Sequence, residues 1–339
     1  MALRRRLGVL ALGAILPGQA AAAASPTCDS ERHRTAAAIR GIAGDPVPAG
    51  ETVLVAGQVA GAFLGTDALE GVFLQTSDGR TSGVFVYIPE PDAAWRKRLR
   101  GGRRVVVRAE TDRFHGRPQL HEVTAVTDCG AGEPRTTNLE WAADEARLRS
   151  LAGTRVRLAE PLTVTGHHEL ARYGSLHLAA DRLRHPWTHP AGDAERRMLV
   201  LDDGAHERNP EPIPHLSASG TRRVGARVTA TGILTRAFGA WRLHPVTEPR
   251  FQAANPRPEP PAPPEQATRR LATINLHNYF VTLGERGPAS VTERKAKERA
   301  LRRLITGIDA DALAVSEVAN RPRALAALTE RVAGADYQL

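Results

Sequence analysis

Six prolines (Pro256, Pro258, Pro260, Pro261, Pro263 and Pro264) fall between Asn255 and Gln266. Each fixes φ and withholds a backbone donor, so neither a helix nor an interior strand can run through this stretch. It reads as an extended, semi-rigid spacer, and the chain on either side of it must bury its own core. A chain of 339 residues, 42% of them hydrophobic, is long enough for two or three such cores.

Downstream of the spacer, two apolar runs of strand length frame a helical segment. The first is Leu271-Ala-Thr-Ile-Asn275-Leu-His-Asn278-Tyr-Phe280 and the second is Ala312-Leu-Ala-Val-Ser-Glu317-Val318. Between them Ser290 and Glu293 have capping-box spacing. Ala296, Ala300, Leu301, Leu304, Ile305 and Ile308 then fall on one helical face, with Gly307 as the expected stop. Strand, helix, strand is a right-handed crossover that lays the two strands parallel in one sheet. Asn275 and Glu317 then emerge at the same sheet edge, where open α/β sheets bind ligands. A further helix is expected after Glu317, with Asn320 as N-cap, Pro322 in its first turn, Leu325, Leu328 and Val332 on one face, and Gly334 after it.

This arrangement resembles the endonuclease/exonuclease/phosphatase superfamily, the DNase I-like fold, and is most similar to secreted bacterial nucleases that carry OB-like modules ahead of the catalytic domain. In that family an A-T-x-N-x-x-N-Y-F strand supplies an asparagine to the phosphate site, and a strand ending in x-E-[IV] supplies the glutamate that holds the metal. The resemblance puts those roles on Asn275, with Asn278 beside it for substrate, and on Glu317. Leu283-Gly284-Glu285-Arg286-Gly287 resembles the family's loop after its first strand. The sequence departs from the pattern at Ile274, Ser316 and Ala319, none of which is one of those side chains. The family's later histidine, Asp-x-Asn pair and Asp-His dyad have no counterpart within residues 269–339. The expectation is therefore an incomplete domain, inactive by itself. The resemblance implies Mg²⁺, or another divalent cation such as Ca²⁺ or Mn²⁺, as cofactor.

Upstream, the pattern is all β. From Glu51 to Val126 the runs Thr52–Ala60, Gly71–Gln75, Gly83–Ile88, Arg103–Glu110 and Leu120–Val126 are separated by turns such as Ser77-Asp78-Gly79 and His115-Gly116. Five short strands with these connections suit a small closed barrel of the OB type. A second module of the same kind follows, with strands expected at Val156–Leu158, Leu162–Val164, Ser175–Leu178, Met198–Leu201, Arg227–Leu234 and Trp241–Val246. Gly116-x-x-x-Leu120-His121-x-Val123 recurs as Gly239-x-x-x-Leu243-His244-x-Val246, and Gly102, Arg104 and Val105 meet Gly225, Arg227 and Val228 at the same offset. That match suggests duplication. Arg172-Tyr173-Gly174 and Leu201-Asp202-Asp203-Gly204 look like landmarks of such modules in the secreted nucleases. The expected organisation is a signal peptide at 1–24, OB-like domains at 25–131 and 136–252, a linker at 253–268, and the first strand–helix–strand–helix part of a DNase I-like sandwich at 269–339.

Arg4, Arg5 and Arg6, the apolar run Leu7 to Leu16 and the small residues Ala20 to Ala24 have the order and lengths of a secretory signal peptide. No later segment has the ~20 apolar residues of a membrane-spanning helix. An exported, oxidising setting, extracellular or periplasmic, lets the only two cysteines, Cys28 and Cys129, be read as a disulfide, with two free thiols as the alternative. The net charge is +9, or +6 without the leader, and 43 of the 46 basic residues are arginine. A charge this modest suits a polyanionic partner without requiring one.

Other candidates read as ordinary surface or core. His167, His168, His177, His185 and His189 lack zinc-ligand spacing and read as surface histidines. Asp202-Asp203-Gly204 reads as a turn rather than a calcium loop. Tyr173, Phe238 and Trp241 are either base-stacking aromatics or core. Arg294, Lys295, Lys297, Arg299, Arg302 and Arg303 make a basic helix whose default is a solvated face. Taken together, the resemblance implies a secreted metal-dependent nuclease acting on DNA and/or RNA. The alternatives are a non-enzymatic OB-fold nucleic-acid-binding protein with a decayed catalytic domain, and a phosphoesterase of the same superfamily with another substrate.

Export is directly checkable. The intact mass of the protein recovered outside the cytoplasm should lack the residues up to about Ala24. A mass that retains Met1 would remove the signal-peptide reading.

Overall fold

The computed structural model describes residues 27–334 and Tyr337, except for 30–31, 43, 78–80, 184–186, 189–196, 257, 260–261 and 285. The expected signal peptide, the Asp78-Gly79 turn, His185, His189 and Glu285 lie outside the described residues. The chain is β-rich and forms two compact units, which part within the proline-rich run between residues 257 and 258.

The first unit begins with a short helix α1 (Ala36–Arg40) and five strands: β1 (Thr52–Phe63), β2 (Gly71–Ser77), β3 (Thr81–Tyr87), β4 (Arg103–Phe114) and β5 (Arg117–Ala131). A helix α2 (Ala93–Arg98) lies between β3 and β4. The strands close into a barrel in the order β1-β2-β3-β5-β4, with β3 and β5 parallel and the other neighbours antiparallel. Alternation explains the interior: Val53, Val55 and Val59 of β1, Val105 and Val107 of β4 and Leu120 of β5 all turn inward and are buried. Each such side chain removed from water contributes about 1.5–3 kcal/mol. Cys28 is disulfide-bonded to Cys129 near the end of β5, with their Cα atoms 5.7 Å apart.

The second half of this unit comprises β6 (Thr137–Leu139), α3 (Glu145–Leu151), β7 (Arg155–Leu158), β8 (Leu162–Gly166), α4 (Leu170–Tyr173), β9 (Leu176–Ala179), β10 (Leu199–Leu201), β11 (Arg227–Thr229), β12 (Thr231–Ala237), β13 (Ala240–Pro245) and β14 (Arg250–Gln252). They form a nine-stranded sheet in the order β14-β11-β8-β9-β10-β13-β12-β7-β6. Two pairs of these strands are halves of one run: β7 and β8 flank Ala159–Pro161, and β11 and β12 flank Ala230 alone. Because β11 pairs with β8 and β12 with β7, continuous chain through Ala230 joins the two ends of the sheet. The sequence of neighbours then repeats that of the first barrel, down to the parallel pairing of β10 with β13.

The matching repeat in sequence has a matching backbone. His115 and Gly116 link β4 to β5, and Phe238 and Gly239 link β12 to β13. All four are left-handed, with φ of 50° and 75° in one turn and 51° and 77° in the other. Two-residue turns of this hand match the twist of the strands they join. The register that follows is the same in both hairpins: Thr111 faces Leu120, and Leu234 faces Leu243.

The halves of the first unit share a small core of Ala60, Phe73 and Ile233, with Phe63, Phe85 and Val246 against it. Two glycines permit the approach. A Cβ on Gly83 would lie 1.9 Å from the carbonyl oxygen of Gly153, and one on Gly61 2.7 Å from Ile233. Gln75, buried on β2, is satisfied across the junction: its amide donates to the Arg135 carbonyl at 2.7 Å and accepts from the Arg155 N–H at 2.9 Å. Arg40 of α1 donates to the carbonyls of Arg149 and Ala152, both at 2.7 Å, at the C-terminal end of α3, where a cation is favoured.

The second unit contains β15 (Leu271–Tyr279), α5 (Val291–Ile308), β16 (Ala312–Val318) and α6 (Pro322–Leu328), which runs on as a π-helical turn over Thr329–Ala333. β15 and β16 are parallel, from Leu271 opposite Ala312 onward. Ser290 Oγ accepts from Glu293 N–H at 3.1 Å, and the Glu293 carboxylate returns to Ala289 N–H at 2.6 Å. Several sequence expectations differ from what is found. α5 passes Gly307 and stops at Asp309, left-handed at φ 51°, since a glycine without a left-handed turn is no stop. Its buried side is Glu298, Leu301 and Ile305, while Ala296, Ala300 and Leu304 are exposed. Arg321 rather than Asn320 holds the N-cap position of α6, and Leu325 is exposed while Leu328 and Val332 are buried. Among the described residues no helix is long and apolar enough to cross a membrane.

Residues 27–252 expressed alone should unfold in one cooperative transition with a β-type circular dichroism spectrum. Gly83→Ala should destabilise that fragment by about 1–3 kcal/mol or more, because the new methyl meets backbone that cannot step aside. An unchanged denaturation midpoint would show that the Gly83–Gly153 approach is not a tight contact.

Candidate functional site

In the second unit, Asn275 and Glu317 leave the same end of the parallel pair and bond to each other. Asn275 Nδ2 donates to Glu317 Oε1 at 2.7 Å. Asn275 pairs with Ser316, and the next pair along is Tyr279 with Val318. Leu276, His277 and Asn278 thus stand opposite Glu317 alone. Such an excess of residues bends a strand and re-aims its side chains and N–H groups. His277, Asn278 and Glu317 are all left-handed, with φ of 51°, 58° and 56°. For residues other than glycine this costs on the order of 1 kcal/mol each, and backbone held so is concentrated at functional sites.

The bulge brings Asn278 N–H to Glu317 Oε2 at 3.0 Å, while Asn275 Oδ1 accepts from His277 N–H at 2.7 Å. Both oxygens of the glutamate are therefore oriented, one by a side-chain amide and one by backbone. Lys297 of α5 donates to the carbonyls of His277 and of Asn278, the latter at 2.9 Å, and so ties the bulge to the helix. Asn275, His277, Asn278 and Glu317 are exposed, and Lys297 is half-buried. The Asn275 amide is the main cause holding the Glu317 carboxyl below its ordinary pKa. Slight burial opposes this, and Asn278 N–H, His277 and Lys297 reinforce it. Burial pulls the Lys297 ammonium down, against Glu293 and Glu317.

Behind this edge, Tyr279 is buried, with its hydroxyl 3.4 Å from Glu298 Oε1. Burial first and then the Glu298 charge push that phenol up to about 12. Glu298 is itself enclosed and paired with Arg294 at 3.7 Å and Arg331 at 3.6 Å. Two members of the basic helix thus turn toward the site or core: Lys297 supports the bulge and Arg294 also donates to the Val281 carbonyl at 3.1 Å. Sequence reading missed both because they sit in a run of like charges.

Glu317 offers a carboxylate with one hydrogen bond on each oxygen, which leaves lone pairs for a cation. One carboxylate with several waters is what a small hard cation such as Mg²⁺ accepts, so the donor fits the group the resemblance implies. Among the described residues, the one cluster of three possible metal ligands lies elsewhere, at His168, Glu169 and His177.

The first unit carries a second feature. The β4–β5 and β12–β13 turns come together, with Arg117 donating to the Arg236 carbonyl at 2.5 Å. Phe114 and Phe238, one at each tip, are 54% and 91% exposed, far beyond what packing requires. His115 stands edge-on to Phe114 at 4.3 Å, and the Arg242 guanidinium lies 5.1 Å from the Phe238 ring. The other aromatics divide. Tyr173 is partly exposed, whereas Trp241 is buried and donates to Glu145 at 3.0 Å, which removes it from any stacking role. Asp202 and Asp203 form successive turns onto the N–H groups of Gly204 and Ala205. Burial works against the Asp202 charge, yet His244, Gly204 N–H and Arg242 hold it well below the usual carboxylate range. It is a structural ion-pair centre.

No protein-family profile matches the chain, and no curated protein matches it. Among solved structures, the chain is similar to one of a murine DNA-binding protein bound to double-stranded DNA. The identity is 10% and the TM-score 0.29, over 61% of this chain and 99% of that one. A likeness so slight carries no argument about fold or function.

Replacing Asn275 by alanine should raise the Glu317 pKa toward its ordinary value, because the largest cause of its depression is removed. The ¹³C shift of the Glu317 carboxyl followed against pH reads this directly. An unmoved titration curve would show that Asn275 does not orient Glu317.

Proposed function

We propose that the protein is an exported, metal-dependent nuclease that hydrolyses phosphodiester bonds in DNA and/or RNA. In this reading the second unit is the opening part of an endonuclease/exonuclease/phosphatase domain of the DNase I-like type, and the two barrels are OB modules that hold the nucleic acid. The observation that carries the reading is the Glu317 carboxylate, fixed by Asn275 and by Asn278 N–H at one end of a parallel strand pair. The Cys28–Cys129 disulfide fits a protein that matures outside the reducing cytoplasm.

Glu317 would hold Mg²⁺, Ca²⁺ or Mn²⁺, a group that would supply positive charge against the phosphoryl and leaving oxygens. Asn275 positions the glutamate through one N–H, and its remaining N–H is free to bind a phosphate oxygen. Asn278 serves the same carboxylate through its backbone and presents an exposed amide to substrate. Lys297 keeps the bulge in its left-handed form and adds positive charge near the phosphate. The resemblance implies a histidine as general base, and none of the residues named here is assigned that role.

The barrels support a nucleic-acid partner for a separate reason. The order β1-β2-β3-β5-β4, with a helix between β3 and β4, is that of OB barrels, which bind oligonucleotides with the loop between their fourth and fifth strands. Here those loops, from the two modules, meet and display Phe114, His115 and Phe238 among arginines. Exposed rings beside cations suit stacked bases and a phosphate backbone. A non-enzymatic nucleic-acid-binding protein is favoured by this surface alone, and the catalytic test below separates the two readings.

Two measurements test the proposal. In the full-length gene product, Glu317→Gln should lower chelator-sensitive release of acid-soluble nucleotides by roughly 10²–10³ or more, with binding of DNA or RNA retained. Unchanged cleavage would overturn the assignment of Glu317, and binding without any cleavage by the wild type would leave the binding-protein reading. Phe114→Ala and Phe238→Ala should each weaken binding of a single-stranded oligonucleotide by roughly tenfold, about the stacking of one base. Affinity indifferent to both changes would remove the hairpin tips from the interface.

A further inference from the structure

On the second barrel three ligand-bearing side chains converge away from Glu317. One imidazole nitrogen each of His168 and His177 and one carboxylate oxygen of Glu169 lie within 4.8 Å of one another. His177 Nε2 is 3.0 Å from Glu169 Oε2, and the two imidazoles are edge to face at 4.8 Å. The fold assembles this set in a way that sequence spacing hides. Leu176 and Leu178 are fully buried, which fixes β9 and turns His177 to the opposite face. His177 pairs with Gly166 across a register shift between Val164 and Gly166, and with Val200 on the other side.

His168 and Glu169 lie in the turn between β8 and α4, closed by a bond from Leu170 N–H to the His167 carbonyl at 3.1 Å. The buried Leu170 pins that turn to the core. Glu169 occupies the N-cap position of α4 but makes no capping bond. Its carboxylate is directed at His177 instead. The side chains of His177 and Glu169 are 18% and 33% exposed, so the pair is held yet open on one side.

We propose that His168, Glu169 and His177 form a binding site for one divalent transition-metal ion of the zinc class. Two imidazoles and one carboxylate select such borderline ions over Mg²⁺ and Ca²⁺, which prefer oxygen throughout. Bonds of about 2.0–2.2 Å in a tetrahedron place neighbouring ligand atoms roughly 3.3 Å apart. The His177–Glu169 separation is already near that value, and the exposed His168 closes the set by a small side-chain rotation. Three protein ligands leave a fourth position for water or an exogenous donor. The ion would clamp the turn before α4 to β9, and it is distinct from the cation assigned to Glu317.

The test uses the purified full chain, stripped with chelator and titrated calorimetrically with Zn²⁺ and, separately, with Mg²⁺. The wild type should take up one Zn²⁺ that excess Mg²⁺ does not displace. His168→Ala, Glu169→Gln and His177→Ala should each weaken that binding at least tenfold, and Glu317→Gln should leave it unchanged. A control is His121→Ala, which removes a histidine that lies 3.7 Å from Glu110 in the first barrel; it too should leave Zn²⁺ binding unchanged. His168 is exposed, so its variant should fold normally, and a wild-type circular dichroism melt without metal confirms this. Zn²⁺ should raise the melting temperature of the wild type but not of His168→Ala. Absence of Zn²⁺ binding, or binding that His168→Ala leaves intact, would overturn the proposal and reduce the cluster to a His177–Glu169 hydrogen bond.

Discussion

Two tight turns govern the architecture of the first unit. His115-Gly116 and Phe238-Gly239 both adopt the left-handed pair of conformations that reverses a twisted strand in two residues. A turn of fixed length leaves no freedom of register. A slip by one residue would carry Leu120 or Leu243, both fully buried, to the outer face. The same register lays β5 alongside β3, and β13 alongside β10, as parallel neighbours. In the first sheet this closes the barrel, which removes the open edges on which such sheets aggregate. The backbone of His115 and Phe238 makes these turns, while their exposed side chains take no part in the register.

In the second unit backbone conformation again matters more than side-chain bulk. Glu317 is exposed, and an exposed glutamate on a strand would ordinarily swing among rotamers. Here the bulge replaces that freedom with two hydrogen bonds from fixed donors. The left-handed cost at His277, Asn278 and Glu317 is offset by those bonds and by Lys297 on the two carbonyls the bulge leaves turned out. A carboxylate prepared in this way loses little entropy on taking up a cation.

The strands were legible in the sequence because alternation and turn residues are local signals. The runs beginning at Thr52, Gly71 and Arg103 need nothing beyond their own pattern. The pairing of β15 with β16 was legible because a helix-length crossover leaves one arrangement. What the sequence hid is non-local or depends on backbone. α1 and α4 are too short for periodicity to show, and the continuation of α5 past Gly307 depends on where the left-handed residue falls. Asn275 was readable as a strand-end polar group, but its use on Glu317 depends on three residues bulging opposite one. His168 and His177 were read as surface histidines, and Glu169 was not singled out, because a hairpin, not spacing, unites them. Trp241 could be read either as a stacking residue or as core until the depth of β13 was known.

Besides the buried Ala36 and Ile39, the N-terminal segment is anchored by Cys28 on the end of β5 and by Arg40 on the last carbonyls of α3. The first anchor joins parts that have both emerged once the first barrel is complete, and the second waits for residues that come later. During vectorial emergence of the chain, oxidation can therefore seal the first barrel while the second is still unmade, and domains made first tend to fold first. The sealed barrel then offers Gly83, Gln75 and Arg40 as a finished surface on which β7 and α3 assemble. In a reducing compartment the covalent seal is absent, and α1 is held to the first barrel only by its buried Ala36 and Ile39 and by hydrogen bonds.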